Sequence, residues 1–84
     1  RSKIVVEKGS TLIISGTVTN DCEEGWDGTI EVKRGGKLIL LSSAVIKFKS
    51  DGKINVERKL FGRGKLKVER EARVTKDGVE IKIN

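Results

Sequence analysis

Four carboxylates crowd the segment Asn20 to Gly28, NDCEEGWDG: Asp21, Glu23, Glu24 and Asp27, with no basic residue among them. Oxygen clusters of this kind can hold Ca²⁺, which takes six to eight hard oxygen ligands. Their spacing matches no strict calcium loop, and a solvated acidic loop is the simpler reading. Cys22 sits among them and is the single cysteine. It has no partner for an internal disulfide, so it is either a buried thiol or one available to a second chain. Trp26, in the same segment, suits a lid packed over a corner of the fold, with its one polar tip left wet. A second cluster has the opposite sign: Arg58 to Lys67, RKLFGRGKLK, holds Arg58, Lys59, Arg63, Lys65 and Lys67 and no acid. Such a run is either a solvated charged turn or an electrostatic contact. Acidic and basic clusters at opposite ends of one molecule would form a dipole suited to head-to-tail contact between copies.

Catalytic chemistry finds little to work with. The chain has no His, Cys22 has no base at a recognisable spacing, and no Gly-rich loop leads into a helix to cradle a phosphate. The expectation is a protein that is not an enzyme and uses no cofactor. A formal charge of +6 and a pI near 9.7 raise nucleic acid or an anionic polysaccharide as partners. Lys and Arg are, however, interleaved with Glu in the manner of a solvated face, and only Trp26, Phe48 and Phe61 could stack on a base. Met, Pro, His and Gln are absent while Lys, Arg and Glu abound, a usage common in proteins of very hot environments. No apolar run approaches the roughly 18 residues that span a bilayer. Arg rather than Met at position 1 fits a processed, exported chain or a piece cut from a longer one.

The elements that would position these groups repeat. Ile4 to Gly9 reads IVVEKG, Ile30 to Gly35 IEVKRG, Ile54 to Lys59 INVERK and Val79 to Asn84 VEIKIN, and the four starts are almost evenly spaced. A second series, TLIIS, KLILL and KLKVE, leads with Leu12, Leu38 and Leu66; a third aligns Gly16, Ala44 and Ala72 at equal intervals. Each run alternates apolar with polar residues, the period of a strand with one buried face. Self-similarity at this period marks a repeat architecture. The expectation is an all-β fold: one domain, residues 1–84, forming a short parallel β-solenoid of about three coils with three strands per coil and no capping helix. Coils would start near residues 4, 30 and 54, with a partial fourth from 79. Inward ladders would be Ile4, Ile30, Ile54 and Val79; Leu12, Leu38 and Leu66; and Val18, Ile46 and Val74 beside Gly16, Ala44 and Ala72. The insertion Leu60 to Gly64, LFGRG, would bulge or protrude as a turn.

On the phrases Trp26 to Val32, Gly35 to Leu40, Ala44 to Phe48 and Lys53 to Val56, the chain resembles right-handed parallel β-helix proteins of surface and secreted type. The resemblance spans nearly the whole chain and implies fold more than function, because many unrelated β-helices share these degenerate motifs. It implies a setting outside the cell or on its surface. Members that cleave polysaccharides have many more coils than this chain.

A solenoid leaves an unpaired strand row at each end, which soluble examples usually cover. With no Pro and no capping helix, VEIKIN would begin a coil that the first coil of another copy completes. Val5, Ile13, Ile39 and Leu41 would form an outward apolar patch, unless a one-residue slip on the second face turns it inward. Ile4, Val5, Ile13, Ile39, Leu41, Val79, Ile81 and Ile83 are therefore the expected self-association residues, with the acidic and basic clusters as electrostatic contacts. The function this suggests is a self-assembling subunit of an extracellular or cell-surface filament, an open homo-oligomer. The alternatives are a basic binding module for nucleic acid or anionic polysaccharide, and a fragment of a larger surface β-helix or adhesin.

Overall fold

The structure, a computed structural model, describes residues 2–19, 26–48, 52–59 and 62–81. Its regular elements are all strands: β1 (Ser2–Val6), β2 (Thr11–Ile14), β3 (Thr17–Thr19), β4 (Trp26–Val32), β5 (Lys37–Leu40), β6 (Val45–Phe48), β7 (Lys53–Val56), β8 (Arg58–Lys59), β9 (Gly62–Arg63), β10 (Lys65–Val68), β11 (Arg73–Lys76) and β12 (Val79–Glu80). They wind as three coils, β1–β2–β3, β4–β5–β6 and β7–β10–β11, whose strands stack in parallel as three sheets. The chain is a short all-β parallel solenoid.

Apart from Val79, the expected strand ladders form in register. Ile4 pairs with Ile30 and Ile30 with Ile54 on the first sheet. Leu12, Leu38 and Leu66 align on the second, and Val18, Ile46 and Val74 on the third. Aligned positions share the period-two alternation, so each ladder points to one side of its sheet. The central coil supplies most of the core: Ile30, Val32, Leu38, Leu40, Ala44, Ile46 and Phe48 are at most 1% exposed. Burying each of the large ones stabilises the fold by about 1.5–3 kcal/mol. Among the described residues the outer coils add Val6, Ile14 and Val74, each slightly exposed, to this core.

Two features depart from strict repetition. The third coil carries a small antiparallel hairpin, β8 with β9, at the insertion before β10. It leaves the corner cleanly: the Glu57 amide donates to the Val32 carbonyl and the Gly64 amide returns to the Glu57 carbonyl, at 2.8 and 2.9 Å. The second departure corrects the expected fourth coil. Val79 does not stack on Ile54; β12 turns back and pairs antiparallel with β11, Lys76 opposite Val79. Asp77 and Gly78 make the reversal with φ of 50° and 83°, the left-handed pair of a two-residue hairpin turn, for which Asp-Gly is a favoured sequence. The reason lies in chain length. The corner between third and first sheets runs from Val18 to Ile30 and again from Ile46 to Ile54, whereas the stretch from Val74 to Val79 is shorter than either and falls short of a crossing.

One corner is set by close approach between coils. Ser10, Gly36 and Gly64 occupy it in coils one, two and three, each donating its amide to the turn carbonyl before it, Glu7, Lys33 and Glu57 respectively. A Cβ on Gly36 would run into the Val6 carbonyl oxygen of the coil beneath, and one on Gly64 would lie 2.5 Å from the Val32 carbonyl oxygen. Glycine is required there because backbone lies directly below. Among the described residues nothing lies below Ser10, and a side chain is accommodated.

Candidate assembly surface at the open end

The first coil has an inner side, but among the described residues no coil lies beneath to fill it. Ile4, Leu12, Ile14 and Val18 line a concave recess whose floor is Ile30, with a volume of ≈ 360 Å³ and a wall completed by Ser15 to Thr17. Ile4 is 38% exposed although its ladder partner Ile30 is fully buried. The mouth is bordered by β2, TLII, and β3, TVT, neither of which carries a charge. Both are edge strands of their sheets. A bare, uncharged edge beside exposed apolar side chains is a template for further pairing.

The opposite end differs. Here β7 opens on Lys53 and β10 carries Lys65 and Lys67, all exposed; lysine on an edge strand discourages pairing. On the third sheet the edge of β11 is already taken by β12. The Ile81 amide donates to the Val74 carbonyl at 2.9 Å, and Ile81 packs against the core. Val74 is thereby 5% exposed, although it belongs to the last coil. Cover is incomplete, because Val68, in register with Leu40, stays 42% exposed.

An ion ladder on the outer side of the first sheet ties the coils together. Glu31 of β4 accepts from Lys3 of the coil below and from Lys33 at 2.9 Å, and Lys33 also approaches Glu57 of the coil above at 3.9 Å. Hydrogen bonds from Lys3 and Lys33 lower the Glu31 carboxyl from its usual 4.5 to about 2. The same contact with Glu31 raises Lys33.

The expected self-association residues are only partly brought together. Ile4 and Ile13 lie at the recess, and Ile13 is 56% exposed. Ile39 and Leu41 are half-buried on the second sheet and the corner after it. The register expected there holds, with Leu38 and Leu40 inward. Val5 stands apart, in register with Glu31 on the outer side of the first sheet. Val79 is 67% exposed on the terminal hairpin, whereas Ile81 packs inward. Ile83 lies outside the described residues, as do Asp21, Cys22, Glu23 and Glu24. The side chains of Trp26, Asp27, Arg58, Lys59 and Arg63 are likewise outside the description, so the two clusters are located only by backbone: Asp27 on β4, the three basic residues on the β8–β9 hairpin. Among the described residues no three acidic, His or Cys side chains gather as a metal site. No helix among them is long and apolar enough to cross a membrane.

Leu12, Ile14, Val18 and Ser10 are the end's working residues that sequence reasoning did not assign to it. The signal was present: each belongs to the first copy of a ladder or corner series, which among the described residues has no neighbour below. No protein-family model, curated protein or solved structure matches the chain.

Proposed function

We propose that the protein is a structural, self-assembling subunit that associates through the open end of its first coil, in a setting outside the cell or on its surface. The observation that carries this is the ≈ 360 Å³ apolar recess between the uncharged edge strands β2 and β3. Open strand edges and exposed apolar side chains both gain by a protein neighbour, the first in hydrogen bonds and the second in buried area. The resemblance to surface and secreted β-helices supports the extracellular setting. Sedimentation velocity over a concentration series at high salt tests the reading. Association that persists in salt is expected, because its contact is apolar, and Ile4→Glu at the rim shifts the protein to monomer with its β circular dichroism intact. Wild-type protein that stays monomeric at every concentration would sink the proposal.

A second reading rests on the outer side of the second sheet, where Lys37 and Lys65 lie in register on neighbouring strands with Lys67 nearby. Like charges so placed repel one another and gain from a polyanion. It predicts binding to heparin or single-stranded nucleic acid that weakens steeply with salt, and no binding at low salt removes it.

A further inference from the structure

Resting on the self-assembly reading, we propose that two copies join as a closed two-fold pair, first coil to first coil with β2 antiparallel to its own copy, and that the fold obstructs head-to-tail growth. The filament expected from the sequence requires the third coil of one copy to lie beneath the first coil of the next. The corner geometry opposes this. Gly36 and Gly64 each sit over a carbonyl of the coil below, and the next position in that series is the Val56 carbonyl, which an incoming copy would meet with Ser10. The Ser10 Cβ would fall on that oxygen at a separation real Cβ atoms essentially never show. A second obstacle is independent: an incoming β3 needs the edge of β11, which β12 occupies.

Pairing of like ends avoids both. A two-fold axis through β2 sets Thr11–Ile14 against itself and β1 against the partner copy's β3, and antiparallel pairing does not reuse the parallel corner register. No charge on β2 or β3 opposes its approach, and the one lysine of β1, Lys3, is paired with Glu31 of its own copy. Leu12, Ile4 and Val18 from each copy then face one another across the two recesses.

Single-cysteine cross-linking tests the geometry. In a Cys22→Ser background, Ile13→Cys places one thiol on β2, near the axis. A short bismaleimide is expected to convert the associated protein to covalent dimer and nothing larger. In a head-to-tail column residue 13 would instead lie beside Lys67 of the next copy, in series with the Ile13, Ile39, Lys67 ladder. Dimer from Ile13→Cys alone, with no longer species from the Ile13→Cys/Lys67→Cys pair, supports the closed pair. Long ladders from the double variant and no dimer from the single one overturn it while leaving self-assembly intact. Monomer throughout, in sedimentation as well as cross-linking, overturns the self-assembly reading itself.

Discussion

The two ends of this solenoid are built from the same repeat and finished differently. At the first coil the inner ladder residues Ile4, Leu12 and Val18 border an open recess, the edge strands β2 and β3 are free of charge, and the corner holds Ser10 where the later coils need glycine. At the third coil the exposed edges carry Lys53, Lys65 and Lys67, and the chain folds back so that Ile81 packs beside Val74. Both ends expose the inside of a coil, so exposure alone does not mark a contact. The difference lies in what borders it: lysine on two edges and a hairpin on the third suit an end that faces water, whereas at the first coil two edges are uncharged and the lysine of the third, Lys3 on β1, is paired with Glu31.

The contrast between the ends can be broken at three levels. The largest effect is expected within the second ladder. Leu38→Ala removes a fully buried side chain with coils on both sides and costs about 2–5 kcal/mol, whereas Leu12→Ala, half-buried at the open end, costs less than half as much in dilute monomer. Urea titration measures both, and equal losses would mean that the first coil is covered in the monomer. Next comes the corner. Gly36→Ala forces a Cβ onto the Val6 carbonyl and costs about 1–3 kcal/mol, while Ser10→Thr, which enlarges a side chain with no described residue below it, stays within about 0.5 kcal/mol in dilute monomer; a comparable penalty at Ser10 would place a coil beneath it. The smallest effect is electrostatic. Because the Glu31 carboxyl is lowered to about 2, its stabilising contribution is complete above its usual 4.5 and fades as pH falls towards 2. Lys33, raised by the same contact, contributes below its usual range and loses that contribution only in strong alkali. Lys3 belongs to the first coil, so acid loosens that end first. Protection of the β1 amides relative to their intrinsic exchange rate, which itself slows in acid, is expected to drop between pH 4.5 and 2 before protection in β10 does, and Glu31→Gln flattens this response. Simultaneous loosening of both strands would show that the ladder does not hold the first coil.

Much of this fold is legible in the sequence because its determinants are local and periodic. Three series of nearly constant spacing name the stacking partners, and alternation within each names the inward side, so that pairs as distant as Leu38 and Leu66 follow from counting. The terminal hairpin was obscured by the same regularity. Val79 follows Ile54 at almost the interval that separates Ile54 from Ile30, but the insertion at β8–β9 had already consumed part of it, leaving too short a corner. Asp77–Gly78 between two alternating runs was the stronger local signal. The open end was harder to see. A residue's exposure there depends on the absence of a neighbour, and composition at Leu12 or Val18 does not differ from that at their buried counterparts. Ser10 is the exception, since a break in a glycine series is visible in the letters and has a steric meaning once the carbonyl below is located.

The corner glycines also bear on how such a chain can change in length. The central coil, residues 26–48, carries Gly36 at its lower contact and presents the Val32 carbonyl for Gly64 above. A tandem duplication of this coil, with a connecting corner, inserts a unit that already fits on both of its sides. Duplicating the first coil would place a second Ser10 in the interior, over a carbonyl. The middle of the chain is therefore the part that inheritance can copy, and the ends are the parts it must keep single.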